Sequence, residues 1–502
     1  MVLGSSPSGP TVILAAATGE GRRTTAPSRE YNGRMTNLAK PRDTQPHHRT
    51  AATLADLHSR LASEIAARQE MERRLAKLQT AYARFVPPQL LELLGKESIL
   101  DVAWGNQVEK KMTVLFSDIR GFAALSERMS PQQCFDFINA YLSFMEPVVL
   151  AHGGFIDKYI GDAVMALFPT RGDDALRAAL AMLAEVERFN THWAAGLPGL
   201  PEARPGQPVR IGIGLNSGLL MLGVIGGSQR MEVTVISDAV NLAARIETLT
   251  KTYQTPLLIT QHTLNSMRAP ADFSIRFLDR VHLPGKHLAQ SIYEVFDGDP
   301  PPLKAAKQAN LDLFEEALAL YHFRQIDSAR RSFHACLERC PDDTPALIHW
   351  QRCSQTGRLP DPPDGEVGWH AEFLLGHEEP DRAHRLIFDH LLALAKALQT
   401  EATGRASELA RRLDEIIAEH FASEERLMTA HGYPAPVAAE HRQQHARLIA
   451  FFSTLRAAIG GSTVSPLRLA FRCQFLLLDW FTSHFVITDR HLFRFLAEQG
   501  VK

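Results

Sequence analysis

Two apolar, β-rich runs in the middle of the chain each stop at an aspartate beside a small or turn-forming residue. In Thr113-Val-Leu-Phe-Ser-Asp-Ile-Arg-Gly-Phe122 the strand pattern Val114-Leu115-Phe116 leads into Asp118. In Gly154-Phe-Ile-Asp-Lys-Tyr-Ile-Gly-Asp162 the run Ile160-Gly161 leads into Asp162, which opens a second apolar run, Ala163-Val-Met-Ala-Leu-Phe168. Such a pattern demands a sheet whose strand ends hold two carboxylates near glycine. That arrangement suits a pair of hard cations, because Mg²⁺ takes a few carboxylates and completes its shell with substrate oxygens. Strand-like and helix-like segments alternate around these runs, an α/β pattern.

At 502 residues the chain exceeds a single core, so several domains are expected. Residues 1–50 are rich in Ser, Thr, Pro, Gly and Arg without apolar period, and read as a disordered tail. Residues 51–86 read as a coiled coil or signalling helix. Leu54, Leu57, Leu61, Met71, Leu75, Leu78, Tyr82 and Phe85 recur at steps of three and four, with Glu64 and Arg68 at the skipped positions. Pro87-Pro88 stops it. The α/β segment occupies 87–297. Residues 303–360 read as a helical spacer of two helices resembling one tetratricopeptide unit, ending in the proline-rich run 359–365. Residues 369–502 are helical by period and rich in histidine.

A formal net charge of −2 gives no basic balance for nucleic acid. The run Thr11–Ala17 is too short to span a bilayer and lacks a basic lead, so neither a membrane span nor a signal peptide is expected. Five scattered cysteines fit a reducing compartment, and the chain reads as cytoplasmic. Cys336 and Cys340 beside His334 have the spacing of one helix face.

A further motif, Arg230-Met-Glu-Val-Thr-Val-Ile-Ser-Asp-Ala-Val-Asn-Leu-Ala-Ala-Arg245, runs from a strand into a helix. Together with the two aspartate motifs it resembles the class III nucleotide cyclases, whose domain is an α+β, ferredoxin-like member of the α/β class. The resemblance implies two Mg²⁺ or Mn²⁺ per active site on Asp118 and Asp162. It also implies attack of a ribose 3′-oxygen on the α-phosphorus, with pyrophosphate leaving. By the same resemblance Asn241 orients the ribose and Arg245 steadies charge on the pentavalent phosphorus. The backbone of Ile119, Arg120, Gly121 and Phe122 is expected to cradle phosphate oxygens, since glycine permits close approach. Lys158 and Thr234 match the purine-reading positions, and this set looks like the one that reads adenine. A lysine donates to adenine N1, whereas guanine N1 is itself a donor. In this family the aspartates and the base-reading residues of one site come from different subunits, so a homodimer with two composite sites is implied. One departure stands out. In Leu283-Pro-Gly-Lys286 a proline occupies the family's usual triphosphate lysine, leaving Lys286 as the neighbouring candidate.

In the histidine-rich segment, His420-Phe-Ala-Ser-Glu424 and His441-Arg-Gln-Gln-His445 pair donors one helical turn apart. His384 precedes them, and His484 with Asp489 follows. Histidines with bridging carboxylates inside a four-helix bundle suit a diiron centre, and the set resembles the bacterial hemerythrins. The resemblance implies His384, His420, His441, His445 and His484 as terminal ligands and Glu424 and Asp489 as bridges. His390 is a rival for the first ligand. His322, His349, His370 and His431 read as surface or capped residues. A pocket for O₂ or another small diiron ligand is implied. The combined expectation is an adenylate cyclase, with ATP as substrate, whose diiron bundle senses oxygen, redox state or iron. The alternatives are a bundle merely tethered to the cyclase, and a guanylate cyclase.

Overall fold

The computed structural model describes residues 45–196, 207–227, 230–282, 289–355, 368–459, 461 and 464–501. Residues 1–44, the 359–365 run, and Pro284 with Lys286 lie outside them. The chain divides at Gln79/Thr80 into two compact units. The described residues of the first lie in helix α1 (Gln45–Tyr82), which starts earlier than the expected boundary at 51. Its apolar residues Leu57, Leu61, Ile65, Met71, Leu75 and Leu78 are all exposed. The ion pairs Arg60–Asp56 and Arg68–Glu72 line its polar surface.

In the second unit α2 (Pro88–Leu93) begins on a proline, whose fixed φ suits a first turn. β1 (Gln107–Ile119), α3 (Phe122–Ser126), α4 (Pro131–Ala151), β2 (Phe155–Ile160), β3 (Ala163–Phe168), α5 (Gly172–Ala194) and β4 (Ile211–Gly226) follow. The strand order β2-β3-β1-β4 is that of a ferredoxin-like split βαβ unit. β5 (Met231–Ile236) folds back on β4 as a hairpin. Helix α6 (Asp238–Tyr253) then crosses to β6 (Leu257–Thr260), parallel to β4. Short α7 (Gln261–Ser266), β7 (Ile275–Val281) and β8 (Gln290–Val295) complete the eight-stranded sheet.

Strand periodicity divides the core between the two sheet faces. Leu115 and Ala166 pack with Phe137, Tyr141 and Met182 of α4 and α5. Val114, Phe116, Met165 and Leu167 pack with Leu90 and Ala243 on the other face. By length and composition α4 is apolar enough to cross a membrane, yet it buries Phe137, Tyr141, Met145 and Val149 in this core.

The spacer holds four helices rather than two: α8 (Pro301–Ala309), α9 (Leu311–His322), α10 (Ile326–Arg339) and α11 (Thr344–Ser354). Asp343 starts the last of them by accepting from the Ala346 amide, with Pro345 inside the first turn. The same carboxylate takes two hydrogen bonds from Arg276 of β7, at 2.8 and 2.6 Å. Arg276 also donates to Glu294, which accepts from Lys307. This buried network ties the spacer to the sheet. His322 and His349, expected as surface or capped residues, are corrections as to the surface. Both are buried against the sheet, and His349 Nε2 lies 3.0 Å from the Leu278 carbonyl. Desolvation lowers both to about 4. Cys336 and Cys340 are buried, while His334 is exposed and faces Glu338.

The last segment is a bundle of α12 (Glu378–Gln399), α13 (Thr403–Ala430), α14 (Ala435–Ala458) and one long helical stretch from Pro466 to Glu498. That stretch contains α15 (Pro466–Phe471), α16 (Leu478–Ser483) and α17 (Arg490–Glu498), joined by π-helical turns at Arg472–Leu477 and His484–Asp489.

Candidate active site and metal centre

β1 ends at Ile119, and the chain turns through left-handed Gly121 (φ 69°) into α3. Asp118 lies in this last turn of strand, and Asp162 lies in the β2–β3 turn next to left-handed Gly161. The turn chemistry therefore brings the two carboxylates together. Asp162 is pushed up to about 6, first by burial and then by a hydrogen bond and the like charge of Asp118. Two anions that resist joint ionisation fit a divalent cation shared between them. Lys251 of α6 donates to Asp118 Oδ2 at 2.5 Å, a contact the sequence did not signal. Of the four residues expected to cradle phosphates, Arg120 already commits its amide to the Arg210 carbonyl at 2.7 Å. Ile119 is buried in the sheet, while Gly121 is exposed at the turn.

A second cluster forms on β2 and the β4–β5 hairpin. Lys158 Nζ donates to Thr234 Oγ1 at 2.8 Å and to Glu232 at 3.3 Å. A bulge between Ile156 and Lys158 places Asp157 beside the ammonium, 3.5 Å away. Glu232 and Asp157 were not expected there. Asn241 and Arg245 sit one turn apart on α6, Asn241 exposed and Arg245 half-buried. Lys158 thus joins Thr234, and Asp118 joins Asp162; the two pairs form separate clusters.

The bundle gathers all seven residues expected there. Asp489 lies 3.2 Å from His384, 3.1 Å from His441 and 3.0 Å from His484. Glu424 lies 3.2 Å from His445, 3.6 Å from His441 and 3.9 Å from His420. His384 and His420 face each other at 3.1 Å. Two overlapping donor groups result, Glu424–His441–His445–His484–Asp489 and His384–His420–Glu424–Asp489, sharing both carboxylates. All are buried, and both oxygens of Glu424 and Asp489 lack hydrogen-bond partners, as do His445 Nε2 and His484 Nε2. Orphaned donor atoms converging in a dry core fit a pair of metal ions. Burial works to raise both carboxyls, and the ring of imidazoles outweighs it and holds them low. Burial works to lower His441, and the neighbouring carboxylates of Asp489 and Glu424 outweigh it and raise it to about 9.

Outer contacts fix the rings. His484 Nδ1 lies 3.0 Å from Gln444 Oε1, which also accepts from Thr488. His445 Nδ1 lies 3.1 Å from Glu425. Phe485 stacks on His384 and Phe421 on His445. Such partners set which nitrogen faces a metal. His390 turns its Nδ1 to the Leu386 carbonyl and takes no part.

The bundle also touches the sheet domain. Arg447, two residues after His445, donates to the carbonyls of Leu264, Asn265 and Met267 at the end of α7. Ser483, just before His484, pairs with His262 at 2.7 Å. Lys111 bonds Glu440 at 2.5 Å, and Arg494 bonds Glu109 at 3.0 Å.

Comparison with known proteins divides the chain in the same way. Residues 105–295 match the family model for the adenylate and guanylate cyclase catalytic domain, and residues 376–496 that for the hemerythrin HHE cation binding domain. An adenylate cyclase of Anabaena cylindrica is 40% identical over 255 residues, covering 48% of this chain and 50% of that protein. The terminal-differentiation-specific adenylate cyclase of Dictyostelium discoideum is 37% identical over 284 residues, covering 56% of this chain and 13% of the relative. The chain therefore spans half the length or less of these two curated relatives. Among solved structures, the adenylyl cyclase CyaB from P. aeruginosa is 30% identical, with a TM-score of 0.33, covering 38% of this chain and 96% of that one. Residues 105–295 belong to the adenylate and guanylate cyclase catalytic-domain family, and residues 376–496 to the hemerythrin HHE family.

Proposed function

We propose that this protein is a homodimeric adenylate cyclase controlled by a diiron hemerythrin domain. The observation that carries the substrate assignment is the 2.8 Å hydrogen bond between Lys158 and Thr234. It sets an ammonium donor beside a hydroxyl, a pair suited to the N1 and N6 edge of adenine. Lys158 donates to N1, and Glu232 and Asp157 hold the ammonium in place. Asn241 orients the ribose. Arg245, always charged, stabilises the pentavalent phosphorus as the 3′-oxygen attacks and pyrophosphate leaves. Asp118 and Asp162 hold the divalent cations, which when bound supply Lewis-acid activation of the 3′-hydroxyl and neutralise the triphosphate. Two copies, joined through the exposed apolar stripe of α1, complete each site from both chains.

In the bundle His384, His420, His441, His445 and His484 with Glu424 and Asp489 hold the iron pair, which when bound supplies a redox-active site for O₂ or another small ligand. The contacts to α7 favour control over mere tethering. Thr263 and Ser266 of α7 bond Ser217, which bonds Thr113 at 2.7 Å. Thr260 bonds Asn216 at 2.7 Å, and Asn216 donates to the Ala239 carbonyl in the first turn of α6. Helices bearing iron ligands therefore connect by hydrogen bonds to the helix bearing Asn241 and Arg245. A shift of the bundle on ligand binding changes the population of the active site geometry by its differential contacts here.

The test is iron-loaded protein with ATP or GTP and Mn²⁺, assayed for cyclic nucleotide under air and under anaerobic reducing conditions, with Asp118→Ala as control. Cyclic AMP lost in the variant, with a rate that changes with oxygen, is the expected result. No product from either nucleotide refutes the cyclase; equal rates in both atmospheres leave the tethered reading.

A further inference from the structure

Lys251 stands where a cation is required. Its ammonium is 2.5 Å from Asp118 Oδ2. Glu247, one turn earlier on α6, is its other anionic neighbour and faces Arg120 at 3.8 Å. The Lys251 side chain is 48% exposed, so it moves without unpacking the core. It lines a cavity of about 930 Å³ together with Arg120 and Arg210 and with the carboxylates of Glu187, Asp297 and Asp299.

A divalent cation and an ammonium on one carboxylate oxygen repel each other strongly, and the doubly charged ion holds the oxygen more tightly. Entry of a cation at Asp118 therefore expels Lys251. A lysine is a compact charge on a flexible stem, and it re-pairs with whatever anion lies within its reach. The anion that a cation at Asp118 brings within reach is the substrate's triphosphate, with Arg210 lining the same cavity as Lys251.

We propose that Lys251 is an exchangeable counter-ion: it neutralises Asp118 in the empty site and moves to the triphosphate of the substrate once the cation has taken its place. This rests on the reading of Asp118 as a cation ligand. It makes cation and nucleotide binding cooperative, because the cation alone strands the ammonium and the nucleotide gives it a new partner. It also provides a phosphate-facing ammonium from α6 in a chain whose Leu283–Lys286 run has proline at the family's lysine position.

The test uses the full-length, iron-loaded protein and two binding measurements. The first is Mn²⁺ affinity without nucleotide, read from the electron paramagnetic resonance of free Mn²⁺. The second is the affinity for 3′-deoxy-ATP, which lacks the attacking hydroxyl, at saturating Mn²⁺. Asp118→Ala defines the binding that belongs to other sites. In Lys251→Met, Mn²⁺ alone binds about threefold to fivefold tighter, while 3′-deoxy-ATP binds about tenfold weaker. Lys251→Arg stays near wild type in both. The opposite signs are the signature, because a merely structural lysine moves both affinities in one direction or neither. Unchanged affinities, or a joint loss, overturn the role of Lys251. Equal binding by wild type and Asp118→Ala overturns the cation site itself, and this proposal with it.

Discussion

Lys158 and Thr234 meet across 76 residues of sequence, and on the proposed reading that single contact concentrates the choice of base. Lys158→Ala is expected to lower the ATP-to-GTP ratio of kcat/KM by about a hundredfold, read from parallel assays. Arg245→Ala is expected to lower kcat by about 10²–10³ with little change in KM, as fits a group acting on the transition state. Both residues were legible because each sits in a contiguous motif whose strand or helix could be read directly. Lys251, Glu232 and Asp157 were not, because their roles arise only when α6, β5 and the β2 bulge pack. Glu294 was equally hidden. Burial alone would raise its pKa, but Arg276 and Lys307 hold it down at about 2, against an ordinary 4.5. A depressed carboxylate adds stability that is complete above about pH 4.5 and is lost as pH falls toward about 2, on the order of 3 kcal/mol in full. Glu294→Gln should therefore flatten the fall in unfolding free energy between pH 5 and pH 3, measured by chemical denaturation.

A π turn makes residues five apart lie one above the other, and His484–Asp489 is such a turn. It brings His484 Nε2 and Asp489 Oδ1 to 3.0 Å on the same segment. Helical pairs at i and i+4, such as His420–Glu424 and His441–His445, declare themselves in sequence; a pair at i and i+5 does so only by resemblance. Deleting Val486 should convert the turn to ordinary helix and swing Asp489 off the site. Iron content is expected to fall from two per chain to one or fewer, with helical circular dichroism retained. The spacer shows the opposite problem: its apolar period continues through Asn310, so the break between α8 and α9 is silent in sequence. In α1 the apolar stripe is legible in the sequence and exposed in the structure, and its pairing in a dimer is the proposal. Leu61→Glu with Leu75→Glu is expected to weaken self-association by at least tenfold in sedimentation analysis and to lower activity in step.

Across the whole molecule the decisive feature is the seam where Arg447 reaches three carbonyls at the end of α7. Removing it leaves every iron ligand in place, so Arg447→Ala should retain two irons while the ratio of aerobic to anaerobic rates moves toward one. No sequence pattern announced this seam, since an arginine on an exposed helix position reads as ordinary surface until another element covers it. The orphaned carboxylates and imidazoles behind it have a second consequence. Without a cation among them they are desolvated charges with no adequate neutral partners, so a bound cation adds to the stability of the bundle. On the proposed diiron reading, a newly made chain therefore sets its bundle fully only when iron arrives. Scarcity of the metal would then leave nucleotide chemistry running without its governor, and the chain would report nutrient supply through the quality of its own assembly.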